Sequence, residues 1–131
     1  MIKMCTNPDT VSPPRAAYSQ AVRVEMGERA LVYVAGQVPI DADGNLVGGT
    51  DMAGQTEQVW RNIARILEAN GASLADVVQT ITYVTDIDRL DEVNAVRART
   101  FAADPPTSTA VAVTALAQPE WLVEIQAVAV V

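Results

Sequence analysis

Leu122-Val123-Glu124-Ile125-Gln126-Ala127-Val128-Ala129-Val130-Val131 closes the chain, and its reading decides the fold. Successive side chains of a strand point to opposite faces. Leu122, Glu124, Gln126, Val128 and Val130 therefore share one face, and Trp121, Val123, Ile125, Ala127 and Ala129 share the other. A single carboxylate, Glu124, interrupts the apolar run. Upstream lies a second apolar run, Thr109-Ala110-Val111-Ala112-Val113, separated from the first by a break that holds Pro119. The chain thus ends in two strands.

Working outward, residues 51–70 carry Val59, Ile63, Ile66, Leu67 and Asn70 on one helical stripe, with Glu57, Arg61 and Arg65 mostly off it. Gly71 is a natural stop for that helix. The β-branched run Val77-Val78-Gln79-Thr80-Ile81-Thr82-Tyr83-Val84-Thr85 reads as a central strand. Asp86 or Asp88 can cap a second helix over residues 90–101, with Leu90, Val93, Val96 and Phe101 inward, and Asp104-Pro105-Pro106 ends it. Nearer the start, Tyr18 to Val24 and Ala30 to Ala35 flank a turn at Met26-Gly27-Glu28 and form a hairpin candidate. Residues 1–17, with Pro8, Pro13 and Pro14, read as an extended N-terminal arm. The order is β-β-α-β-α-β-β, an α+β sandwich in which two helices cover one face of a mixed sheet. Two helices cannot cover both faces, so the other face is a candidate for burial against another subunit.

The totals narrow the function. At 131 residues the chain is expected to be one domain. A net charge of −7 with no clustered Lys or Arg argues against a phosphate backbone as partner. The absence of histidine excludes His-based triads and His metal sites. One cysteine, Cys5, excludes an intrachain disulfide. No apolar run has the length of a membrane span, and the first residues lack a signal-peptide core, so the expectation is a cytoplasmic protein without membrane or metal.

Against that background Glu124 is the prime candidate for chemistry. An apolar setting disfavours its charged form and raises its pKa toward the range of a general acid or base. On the strand pattern alone a solvated or subunit-paired glutamate is the commoner outcome. Thr107-Ser108-Thr109 offers hydroxyls, yet with no base nearby in sequence local turn bonding is the simpler reading. Gly36, after a strand, either lets a ligand approach the backbone or merely ends the strand. Tyr18 could line a pocket or simply pack. Trp121 could wall a cleft or plug a subunit seam.

Tyr18-Ser19-Gln20-Ala21-Val22, Leu31 through Gly36-Gln37-Val38-Pro39, Gln58-Val59-Trp60-Arg61-Asn62-Ile63, Val77-Val78-Gln79-Thr80 and Val123 through Val130 occur in an order that resembles the Rid (YjgF-type, reactive intermediate deaminase) family. The resemblance runs nearly end to end. It implies a chorismate-mutase-like α+β fold and a homotrimer with a cleft at each subunit interface. It further implies hydrolysis of imines and enamines without cofactor or metal. Glu124 matches the glutamate that handles the attacking water, Tyr18 the cleft tyrosine, and Gly36 the glycine of the second motif. Counting back from Leu116 through Val113 and Val111, the family's carboxylate-binding arginine falls at Ser108, which has no charge. The bidentate grip that suits arginine to carboxylates is missing there.

The expected activity is therefore a deaminase-type hydrolase of a small imine, enamine or related C–N compound, with a substrate unlike the 2-imino acids of the family. Glu124 would be catalytic, and Tyr18, Gly36, Ser108 and the Ala110 backbone would shape the pocket. The alternatives are a non-catalytic small-molecule-binding trimer that kept the fold, and a ribonuclease, which the charge balance disfavours. Arg15, three residues before Tyr18, is a further group that could reach the cleft or lie on the surface.

Overall fold

The computed structural model describes residues 2–131. Six strands and two helices follow one another as β1 (Ile2–Thr6), β2 (Ala21–Met26), β3 (Arg29–Gln37), α1 (Met52–Ala69), β4 (Val77–Val84), α2 (Leu90–Thr100), β5 (Thr107–Ala112) and β6 (Val123–Val130). They build one sheet in the order β1-β2-β3-β6-β4-β5. Only β4 and β5 pair in parallel, across the α2 crossover, so the sheet is mixed as expected. β6 slots between β3 and β4, antiparallel to both.

The N-terminal expectation needs correction. Residues 1–17 are not a free arm: Ile2–Thr6 pair with β2 as an edge strand, and Val11 is buried in the core. The order is thus β-β-β-α-β-α-β-β. The first strand is exposed on both faces for most of its length, so it lacks the alternation that marks a half-buried strand. Backbone pairing with β2 holds it, with one side-chain bond from the Thr6 hydroxyl to Asn70 Oδ1 at 2.9 Å. The following strand also begins later than expected, at Ala21 rather than Tyr18. The chain turns at Ala16–Tyr18, where the Tyr18 amide donates to the Ala16 carbonyl, and joins the sheet only once Gln20 accepts from the Ala35 amide.

Both helices lie on one face. Asp51 caps α1 by accepting from the Ala53 amide at 3.2 Å, and Gly71, at φ +72°, turns the chain out of the helix. The α1 stripe of Val59, Ile63, Ile66 and Leu67 packs on Val32, Val34, Val123, Ile125, Ala127 and Ala129. Val93 and Val96 of α2 complete that core. Trp60 meets Phe101 edge-on, with centroids 5.0 Å apart.

One charge enters this layer. Arg97 of α2 donates to the Thr80 hydroxyl at 3.0 Å and the Thr82 hydroxyl at 3.1 Å, and its guanidinium lies 5.4 Å from the Trp60 ring centroid. The opposite face of the sheet carries Leu31, Tyr33, Tyr83, Val111, Gln126, Val128 and Val130 with no helix over it. Tyr33 and Val111 are exposed there.

Candidate functional site

Glu124 lies on the helix-free face, register-paired with Tyr83 of β4. On its other side β3 is irregular: Val34 pairs with Ala127 but Gln37 with Ile125, so three steps on β3 match two on β6. Such a bulge bends a strand and re-aims its side chains. Here it brings the Gly36 backbone against the Glu124 carboxylate. A Cβ at position 36 would stand 2.9 Å from the carboxyl carbon and overlap a carboxylate oxygen. Gly36 is thus needed for close approach.

The carboxylate opens into a cavity of about 460 Å³, walled by Ser12, Pro13, Arg15, Ala16, Tyr18, Gln20, Ala35, Gly36, Gln37, Val38, Ile40, Asn62, Ala117, Trp121 and Glu124. This size suits a small molecule. Most of the wall is apolar, and burial raises the Glu124 pKa above its ordinary value. Among the described residues no hydrogen-bond donor or cation partners its side chain.

The polar groups behind the wall are, by contrast, tied down. Gln37 donates to Gln20 Oε1 at 2.8 Å, and Gln20 donates to the Ser12 carbonyl at 2.9 Å. Asn62 of α1 donates to the carbonyls of Val38 and Ile40 at 3.1 and 2.9 Å. Its own amide oxygen accepts from Gln58. Gln55 accepts from the Leu122 amide at 2.8 Å and donates to the Glu120 carbonyl at 2.9 Å, which fixes the approach to β6 and buries Trp121 in the wall. This rigid frame supports a shaped cavity around one unpaired acid.

The sequence-derived candidates separate into two groups. Tyr18, Gly36 and Glu124 share the cavity, and so do Arg15 and Trp121. Ser108 and Ala110 do not line it within one chain. They sit on β5, the sheet edge, across from Thr80 and Thr82, on the side where Arg97 lies. The segment around Ser12 and Pro13, and the Gln20–Gln37 pair, went unread because irregular chain has no period. Val11, a lone branched residue among prolines, was the available sign of burial there. Among the described residues no three His, Cys, Asp or Glu side chains are grouped as a metal site, and no helix is long and apolar enough to cross a membrane.

The family model described as Endoribonuclease L-PSP matches residues 10–131, the whole of this cavity and its frame. The chain belongs to the Rid family. A RutC family protein of Pyrococcus abyssi is 39% identical over 117 residues, covering 88% of this chain and 87% of that protein. The 3-aminoacrylate deaminase RutC of Acinetobacter baylyi is 34% identical over 122 residues, 93% of each chain. The crystal structure of RidA from an Antarctic Psychrobacter superposes with a TM-score of 0.87 at 32% identity, covering 98% of this chain and 99% of that one. The Rid assignment therefore rests on sequence and fold together.

Proposed function

We propose that this Rid protein hydrolyses a small imine, enamine or related C–N compound, releasing ammonia and leaving a carbonyl. The observation that carries the reading is Glu124: a half-buried carboxylate without a partner among the described residues, facing a largely apolar cavity beside Gly36 and Tyr18. Burial raises its pKa above the ordinary carboxylate value, which suits it to accept a proton from water and return it. In the reaction, water adds to the carbon of a protonated C=N bond while Glu124 accepts the water proton. The C–N bond of the resulting carbinolamine then breaks: the Glu124 proton passes to the leaving nitrogen, and the hydroxyl proton follows to the released ammonia as the carbonyl forms, giving ammonium. One water is consumed, and no redox partner or cofactor enters the balance. A relative named as a 3-aminoacrylate deaminase supports the reaction class.

The working unit would be a cytoplasmic homotrimer. The uncovered sheet face and the unpaired β5 edge support assembly. In that assembly Ser108 and the Ala110 backbone would reach the cavity of a neighbouring copy. Serine at position 108 shifts the substrate away from 2-imino acids held there by a guanidinium. A non-catalytic binding trimer is the second reading, and a cavity plugged by Trp121 would favour it. Trp121 instead stands in the wall and leaves the volume open. The family description as an endoribonuclease calls for a basic groove, which a net charge of −7 and a single arginine in the cavity do not supply.

The test is ammonia release from a panel of imines and enamines, including 2-aminoacrylate and 2-iminopropionate, followed against the spontaneous rate. Wild-type acceleration that disappears in Glu124→Ala is expected. Acceleration retained in Glu124→Ala removes Glu124 from catalysis. Rapid wild-type turnover of 2-aminoacrylate removes the claim that position 108 redirects the substrate.

A further inference from the structure

The cavity holds one cation. Arg15 comes from the irregular segment between β1 and β2; it is exposed, at the cavity's open side, and its guanidinium carbon lies over the Trp121 ring, 5.4 Å from the centroid. Its recorded hydrogen bond is a long one, 3.5 Å from Nη2 to the Gly44 carbonyl. Among the described residues no carboxylate pairs with it. A guanidinium carries five donors in a planar fork, so most of this fork is uncommitted. Trp121 is itself buried and anchored through the Gln55 bonds to Glu120 and Leu122. The arginine therefore rests on a fixed aromatic plate in the wall that also carries Glu124. A guanidinium held over an aromatic ring still has N–H donors to offer a planar anion.

We propose that Arg15 is the anion-binding residue of this cavity and that it grips the carboxylate of the substrate. The inference rests on the hydrolase reading above and narrows it. The substrate is a carboxylate-bearing C–N compound whose anionic end lies at Arg15, with the reacting carbon at Glu124. Position 108 is then free of the charge-binding role. Specificity for the acid passes from strand β5 to the loop before β2.

The experiment titrates the full-length protein with propionate and 2-oxobutanoate, and with the neutral isosteres propionamide and 2-butanone, by calorimetry or NMR shift mapping. Arg15→Gln and Arg15→Lys are compared with wild type, with circular dichroism to verify their fold. Carboxylates are expected to bind wild type saturably and at least about tenfold tighter than their isosteres. Arg15→Gln should lose that margin, and Arg15→Lys should keep part of it. On any C–N acid that wild type turns over, Arg15→Gln should raise KM about tenfold or more with a smaller change in kcat. Equal binding of acids and isosteres by wild type, or undiminished acid binding by folded Arg15→Gln, overturns the proposal. Carboxylate binding through Arg15 without turnover of any substrate would leave this inference standing and remove the hydrolase reading instead.

Discussion

Two charged side chains are drawn into this fold, Arg97 and Glu124, and burial disfavours the charge on both. Their surroundings differ. Arg97 lies between α2 and β4, where two threonine hydroxyls accept its hydrogen bonds and Trp60 covers its face. Its charge is absorbed by packing, although its Nε has no partner. Glu124 lies on the helix-free side of the same sheet, among apolar walls, with no donor to satisfy it. A guanidinium stays protonated at any working pH, so Arg97 is fixed in state as well as in place. A carboxylate whose pKa is raised by burial holds a proton more readily than a solvated one and can both take and return it. Two equally buried-looking charges thus have opposite uses: one joins layers, the other is left reactive.

The largest effect should come from removing the reactive one. Glu124→Gln keeps the shape and abolishes proton transfer, so kcat/KM for the C–N substrate should fall by about 10²–10⁴. An undiminished rate would place Glu124 in the same structural class as Arg97. Gly36→Ala comes next. The new methyl meets the flexible end of Glu124, which can swing aside. Turnover should drop by roughly tenfold or more, while the denaturant midpoint barely moves. A large stability loss with normal turnover would mean that Gly36 serves the bulge alone.

Arg97→Ala should show the reverse pattern. It deletes two hydroxyl bonds and the cover over Trp60, and a loss of about 1–3 kcal/mol in unfolding free energy is expected. KM for substrate should hold. A normal denaturant midpoint with altered KM would move Arg97 into the functional site.

The smallest effect separates the two charges by pH. The folded-state pKa of Glu124 is raised, so the native state holds its proton to higher pH than the unfolded chain does. Between the two pKa values the native state binds more protons, and stability falls as pH rises. Above the folded pKa this cost is complete. Glu124→Gln should therefore be slightly more stable than wild type at neutral pH and lose that advantage below the unfolded pKa, near about 4.3. Because Glu124 is only half-buried, the gain should stay below about 1 kcal/mol. Differential scanning calorimetry across about pH 4–8, which brackets the carboxylate titration, would read it. In activity, the same raised pKa predicts an acid limb above the usual carboxylate range.

The comparison also explains what was legible in the chain. The alternation around Glu124 and the α1 stripe are periodic, so faces and core followed directly from sequence. The first strand did not, because Ile2–Thr6 is an exposed edge whose side chains carry no burial pattern. Glu124 stood out as a lone carboxylate in an apolar strand. Arg97 did not, since an arginine in a short helix looks like any solvated one until Thr80 and Thr82 are brought beneath it. Arg15 depends on a long-range meeting with Trp121, near the other end of the chain. Motif spacing gives Ser108 and Ala110 a position along a strand, but not whether that strand lines the cavity, and within one chain it does not.

The most direct measurement is the rate of ammonia release from the C–N substrate panel by wild type and by folded Glu124→Gln, at matched concentration and pH. The account predicts acceleration over the spontaneous reaction for wild type on at least one panel member outside the 2-imino acids, and a fall of about a hundredfold or more in the variant. Equal rates for the two proteins would contradict it.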